Sequence, residues 1–338
     1  MVVGDSVAFS FGCVLGESLP GVTDWDCPAR DGYTTKNLAV GACTIYPSQV
    51  LLYNEGTAGV PNCDTAAVPP DNRTWEQAAD YYVPKVVVIN TAGWEIVDRW
   101  VSDFSGAPDS QWGAPGCSPT NSCSPQYQKA AVEYSSKLYD AINMFLSKGA
   151  KVVVANSPYE DGLAPVPDPN AAPPGLGCSW WEPYASSPPT ASGGNCKGDA
   201  TAGTGGQWRP PYPGLTYRSG RTKLDQINTI MSFVKSQYFP SNPNVLIFPF
   251  KDHFNGPNNV YTDYVCPPPN DRTVAPDPIT HSCVITNPSP GVVPAIAARD
   301  ADRGHLSPAG AFNVLQPYIE PCVKALIPVA GGNLSACS

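Results

Sequence analysis

The sequence predicts an α/β fold built on a parallel sheet covered on both faces. Two continuous apolar runs, Lys85 to Asn90 (KVVVIN) and Lys151 to Ala155 (KVVVA), have the composition of strands buried on both sides. Segments with helical spacing alternate with such runs along the chain, as in successive βα units. Hydrophobic residues make up 42% of the 338 residues, enough for one large domain with a substantial core or for two small ones.

Taken in order, Met1 to Val3 reads as a strand and Val7 to Glu17 as a helix. Thr34 to Val40 reads as a second strand. Trp75 to Tyr82 is a short helix, with Asp71 or Asn72 as its expected cap. After the strand at Lys85 to Asn90, Tyr127 to Lys148 has apolar residues at helical spacing and stops at Gly149. The strand at Lys151 to Ala155 is followed by a helix from Arg221 to Tyr238 and a strand from Val245 to Phe250. The final helix runs from Ser307 to Ile327 and opens on Ser307-Pro308, a cap residue with proline at the first helical position. No internal repeat is present.

The connections are long. Segments 100–126, 157–216 and 252–304 are rich in Pro, Gly, Ser and Cys and are read as insertions in a single domain spanning 1–338. Loops of this length in a compact domain are usually functional. Each follows a strand, so they are expected over the carboxyl edge of the sheet, where open α/β folds place their sites.

Composition narrows the function. Only 14% of residues are charged, and the net charge is −9, so nucleic acid and anionic membrane surfaces are poor partners. Neutral glycans and esters suit this balance. The 12 cysteines contain no CxxC and accompany only three histidines, so disulfides are expected rather than a metal framework. Disulfides imply an oxidising compartment. Neighbouring positions suggest Cys117–Cys123, Cys178–Cys196, Cys266–Cys283 and Cys322–Cys337; Cys13, Cys27, Cys43 and Cys63 have three possible pairings. The first residues lack a basic leader and an apolar run, so the chain is expected to be a fragment of a longer exported or membrane-anchored protein.

Two motifs carry chemistry. Gly4-Asp5-Ser6 lies between a strand and a helix, which aims the Ser6 hydroxyl at the crevice beyond the sheet and backbone N–H groups at an oxyanion. The same triplet fits a plain helix cap, and it arises by chance in roughly one chain in ten of this length. Asp302-Arg303-Gly304-His305 precedes the last helix. A DxxH turn lets the carboxylate hold the imidazole Nδ1, leaving Nε2 to take a serine proton; alone, its Asp is equally a helix cap. The combination is the informative signal, because both motifs sit at turns into helices.

The pairing resembles the SGNH-hydrolase (GDSL-like) superfamily, and more narrowly the SGNH domains fused to bacterial acyltransferase-three membrane proteins. The stretches that carry the resemblance are Val3 to Ser6, Asn37 to Cys43 (NLAVGAC), Ala92 to Arg99 (AGWEIVDR), Pro243 to Pro249 with Val265-Cys266-Pro267, and Asp302 to Gly310 (DRGHLSPAG). The resemblance implies a flavodoxin-like three-layer α/β/α sandwich with a parallel sheet and long disulfide-stapled loops. It assigns Ser6 as nucleophile, His305 as base and Asp302 as the orienting carboxylate. It also implies an oxyanion hole built from the Ser6 N–H, a backbone N–H at Gly41 or Ala42, and an Asn side chain. Here the sequence departs from the family, because the usual GxND is replaced by Gly93-Trp94-Glu95 and Asn90 comes three residues early. The third donor is therefore expected from the Asn90 side chain or a backbone N–H near Gly93, with Asn90 to Trp94 bordering the Ser6 pocket.

Asp5, Trp94, Trp180 and Trp181 are candidate substrate contacts. Trp180 and Trp181, with Tyr184, either stack on a sugar ring or form the core of their own loop. Lys251-Asp252-His253 follows a strand and either lines the site or carries a hydrogen-bonded loop histidine; His281 is expected to be exposed in a loop beside Cys283; and Asp300, Asp302 and His305 are set aside as a metal site. No cofactor is expected. Three functions follow. The first is acyl transfer, acetyl foremost, from an acyl donor to a hydroxyl of a cell-envelope or exported glycan, with a membrane acyltransferase domain attached upstream. The second is hydrolysis of carbohydrate or lipid esters. The third is glycan binding without catalysis.

Overall fold

The computed structural model describes residues 1–17, 26–41, 43–46, 48–52, 56–60, 62–64, 73–92, 95, 99–100, 110, 112, 116–121, 124–158, 220–257, 264–277, 279–285, 289–299, 305–327 and 337. In chain order its elements begin with β1 (Val2–Gly4), α1 (Ala8–Val14), β2 (Asn37–Ala39), β3 (Ser48–Leu52), β4 (Gly56–Val60) and α2 (Trp75–Tyr82). Next come β5 (Val86–Asn90), β6 (Arg99–Trp100), α3 (Pro125–Ser147), β7 (Lys151–Ala155), α4 (Gly220–Tyr238), β8 (Val245–Phe248) and α5 (Phe250–Phe254). The chain continues through β9 (Tyr264–Val265), β10 (Ser282–Ile285), β11 (Gly291–Pro294) and β12 (Ile296–Ala297). It ends in α6 (Pro308–Gly310), a π-helical turn (Ala311–Leu315) and α7 (Gln316–Leu326).

Five strands form one parallel sheet in the order β2-β1-β5-β7-β8. This is the expected α/β architecture. Alternate residues of each strand feed two separate cores, because successive side chains point to opposite faces. Val3, Leu38, Val87, Ile89, Val152 and Val154 pack with Trp75, Tyr134, Leu138 and Ile230 of α2, α3 and α4. Val2, Ala39, Val88, Val153, Ala155 and Phe248 pack with Phe11, Val14, Ile319 and Leu326 of α1 and α7. Both faces are apolar, which is why these strands read as unbroken hydrophobic runs.

Element ends follow local chemistry and correct several expected boundaries. Helix α2 is capped by Thr74, not by Asp71 or Asn72: its hydroxyl accepts from Gln77 N, and Gln77 Oε1 accepts from Thr74 N in return. Asp71 and Asn72 lie outside the described residues. Helix α3 starts two residues earlier than expected, because Ser124 caps it and Pro125 takes the first position. Strand β8 stops at Phe248, since Pro249 has no N–H to continue a ladder, and a short helix follows instead. Ser307 caps the last helix as expected, accepting from Gly310 N at 2.9 Å. That helix passes through a π turn before Pro317, where a wider turn relieves the clash of the proline ring with the preceding backbone.

The small antiparallel sheets β4-β3-β6, β10-β11 and β12-β9 were not expected. Disulfides join Cys13–Cys27, Cys43–Cys63, Cys266–Cys283 and Cys322–Cys337. The last two are the expected pairs, and the first two select one of three possibilities. Cys117 is also disulfide-bonded; Cys123, Cys178 and Cys196 lie outside the described residues. Four disulfides fit an oxidising, extracytoplasmic environment. Among the described residues, no helix is long and apolar enough to cross a membrane.

Candidate active site

The site begins at Gly4. Its φ is +137°, and a Cβ added there would lie 1.6 Å from the Asn90 carbonyl oxygen, so only glycine fits between β1 and β5. The chain leaves the sheet with Asp5 N donating to Asn90 O at 3.0 Å. Asp5 Oδ1 then accepts from Val7 N at 2.9 Å, folding the turn back on itself. Ser6 is the residue between, raised at the carboxyl edge of the sheet and half-buried.

His305 comes from the other end of the chain and is also half-buried. Its Nε2 lies 2.7 Å from Ser6 Oγ. In the tautomer protonated on Nδ1, Nε2 accepts the serine proton. The residues after His305 are clamped. Leu306 is buried and forms a bridge with Arg299. Ser307 N donates to Ala298 O at 3.1 Å, and Ser307 Oγ donates to Ala297 O. Gly310 allows this approach, because a Cβ there would come within 2.2 Å of the Ala298 carbonyl. Arg299 places its guanidinium 5.5 Å from the Phe254 ring centroid, tying the clamp to α5. Residues 297–299 of the 252–304 insertion thus brace the residues that follow His305.

The structure sorts the other expected residues. Asp302, Ala42, Gly93, Trp94, Trp180 and Trp181 lie outside the described residues, as do Asp300 and Tyr184. Asp5 is fully buried, and its bond to Val7 N makes it part of the turn; this corrects the expectation of a substrate contact. Gly41 is exposed and follows β2, whose Ala39 pairs with Gly4. Gly41 and Ser6 therefore leave the sheet from adjacent strands at the same height. Among the described residues, neither the Ser6 nor the Gly41 N–H has a protein acceptor. Asn90 pairs with Gly4 from the other side. Its side chain is fully buried, and Nδ2 gives one of its two hydrogens to Ala155 O at 3.3 Å.

Two polar features escaped the sequence reading; a third, His253, is hydrogen-bonded as expected but lies on a helix rather than in a loop. Glu95 is wholly buried and its Oε1 accepts from Ile45 N at 2.6 Å. Thr91 Oγ1 pairs with Tyr134 OH at 3.2 Å; burial, and then the Glu95 charge, hold the Tyr134 hydroxyl well above its ordinary pKa. His253, buried on α5, meets Asp271 at 2.9 Å and stacks on Tyr318, whose hydroxyl donates to the same carboxylate at 2.6 Å. That triad joins α5, the 252–304 insertion and α7. His281 is exposed and stacks on Tyr264 at 3.9 Å. Among the described residues no group of acidic, Cys and His side chains is arranged to hold a metal. A separate cavity of about 520 Å³ lies at the opposite, amino edge of the sheet, lined by Tyr33, Lys36, Tyr82 and Val86 among others.

Neither a scan of protein-family models nor a search of curated proteins finds a match to the chain.

Proposed function

We propose that the protein transfers an acyl group, acetyl foremost, to a hydroxyl of a cell-envelope or exported glycan, through an acyl-enzyme on Ser6. The observation that carries this is the 2.7 Å pairing of Ser6 Oγ with His305 Nε2 at the carboxyl edge of a parallel sheet. The sheet order, 2-1-3-4-5 when its five strands are counted along the chain, supports the finer reading of a flavodoxin-like three-layer α/β/α sandwich. The resemblance of the Gly4-to-Ser6 and Asp302-to-Gly310 stretches to SGNH hydrolases points the same way.

In this mechanism His305 Nε2 takes the Ser6 proton as Oγ attacks the acyl carbonyl carbon. Asp302 holds Nδ1–H and stabilises the imidazolium. The carbonyl oxygen becomes an oxyanion that the N–H groups of Ser6 and of Gly41 or Ala42 would bind. The second Nδ2 hydrogen of Asn90, beyond the one given to Ala155 O, would supply the third donor; otherwise a backbone N–H near Gly93 does. Collapse of the intermediate expels the donor's alcohol or thiol group, which leaves with the proton from His305. A sugar hydroxyl then gives its proton to His305 and attacks the Ser6 ester, restoring the serine. Water in place of the sugar gives the esterase reaction with the same residues. Trp94, Trp180 and Trp181 are proposed to line the acceptor side. The disulfides support an extracytoplasmic location.

The test is hydrolysis of an activated acetyl ester by the wild type, Ser6→Ala and His305→Ala. Wild type is expected to turn over, with both variants reduced by about 1000-fold or more. Equal rates in all three would remove the catalytic reading and leave glycan binding.

A further inference from the structure

We infer that Glu95 is the positioning residue of the oxyanion side of the site: its buried carboxylate holds the 43–46 turn, and through it the Gly41 N–H, against the Ser6 strand end. This deepens the proposed function and rests on it.

A buried carboxylate is costly unless it is hydrogen-bonded, so its partner is informative. Glu95 Oε1 takes the backbone N–H of Ile45, across fifty residues of sequence, at 2.6 Å. Ile45 lies in the connection between β2 and β3, and Glu95 lies just beyond β5. These two strands flank β1, which delivers Ser6. The bond therefore ties together the two segments that leave the sheet on either side of the serine.

Gly41 needs such a tie. Gly41 is exposed, and a Cβ added there would meet nothing within 4 Å. Its position is inherited from its neighbours. On one side Val40 N donates to Gly4 O at 2.9 Å. On the other stands the 43–46 turn, where Ile45 and Tyr46 are buried. That turn is held outward by the Cys43–Cys63 disulfide, by the Thr44 bridge to Asn62 and by Cys63 N donating to Thr44 O at 2.8 Å. Towards the sheet Cys43, Ile45 and Tyr46 pack into the core with Val3 and Leu38, Cys43 Sγ lies 3.4 Å from Gly4 O, and Glu95 supplies the hydrogen bond to Ile45 N. Tyr134 of α3 meets Thr91 of the strand end, and the Glu95 charge, after burial, helps hold the Tyr134 hydroxyl above its ordinary pKa. Glu95 thus sits at the junction of the strand end and the turn.

The test compares Glu95→Gln, Glu95→Asp and Glu95→Ala in the full chain. Gln keeps an oxygen at the same reach, Asp keeps the charge but falls short by one methylene, and Ala removes both. With an activated acetyl ester, Ala and Asp are expected to lower kcat by about 100-fold, as for loss of an oxyanion donor, with KM changed less than about twofold. Gln is expected to retain most of kcat. Amide hydrogen exchange at Ile45 should quicken in Ala and Asp and stay slow in Gln. Wild-type kcat in the Asp variant, or unchanged Ile45 exchange in Ala and Asp, would overturn the inference. If the wild type shows no turnover that depends on Ser6, the functional reading fails, and the Ile45 exchange data still decide whether Glu95 holds the turn.

Discussion

Gly4 shows how one residue sets the geometry of the site. Its positive φ and the 1.6 Å approach that a Cβ would make to Asn90 O leave no rotamer or small shift that admits a side chain. Gly4→Ala should part β1 from β5, break the Asp5 N to Asn90 O bond, and lower stability by about 3–5 kcal/mol, read from a chemical denaturation midpoint. A loss below about 1 kcal/mol would mean that the sheet edge yields easily. At this scale the sequence was partly legible. Gly4-Asp5-Ser6 and His305 stood out because chemistry demands particular residue types at turns into helices. Asp5 was misread as a substrate contact, since an acid that bonds its own turn looks the same in sequence as one that faces a ligand. Glu95 drew no attention because nothing local distinguishes a carboxylate that will be buried against a distant N–H from one left in water.

Among the elements, the buried strands were the easiest to read. KVVVIN and KVVVA are apolar throughout because each face of the sheet carries its own core. The edges of elements were harder. The sequence points to Asp71 or Asn72 as the cap of α2, and the reciprocal bond with Gln77 makes it Thr74 instead. Thr74→Ala should therefore destabilise the protein by about 1 kcal/mol, measured by urea unfolding, with ester turnover unchanged. The same substitution leaving stability untouched would show that α2 is held by its packed face alone. The small antiparallel sheets were not legible. Strands β9 and β12 have two residues each and lie in proline-rich sequence, so they offer no period to detect. They matter because β12 leads into Ala298 and Arg299, the segment that braces the residues after His305.

For the whole molecule, the central event is the meeting of Ser6 with a histidine 299 residues away. The parallel sheet explains half of it, by carrying β1 to its carboxyl edge between β2 and β5. Residues 297–299 of the 252–304 insertion contribute the rest, by bracing the residues that follow His305. Each of the four disulfides between described residues closes a loop of 14 to 20 residues and fixes a local turn around the sheet. Loops of that size contribute roughly 3 kcal/mol each. This locality is also why Cys266–Cys283 and Cys322–Cys337 could be read from spacing. The claim that Ser6 carries the acyl group is tested most directly by mass analysis of the protein, acid-quenched during turnover of an activated acetyl ester and digested to peptides. The account predicts one added acetyl group on Ser6 in the wild type and none in Ser6→Ala. An adduct on another residue, or turnover with Ser6 never acylated, would contradict it.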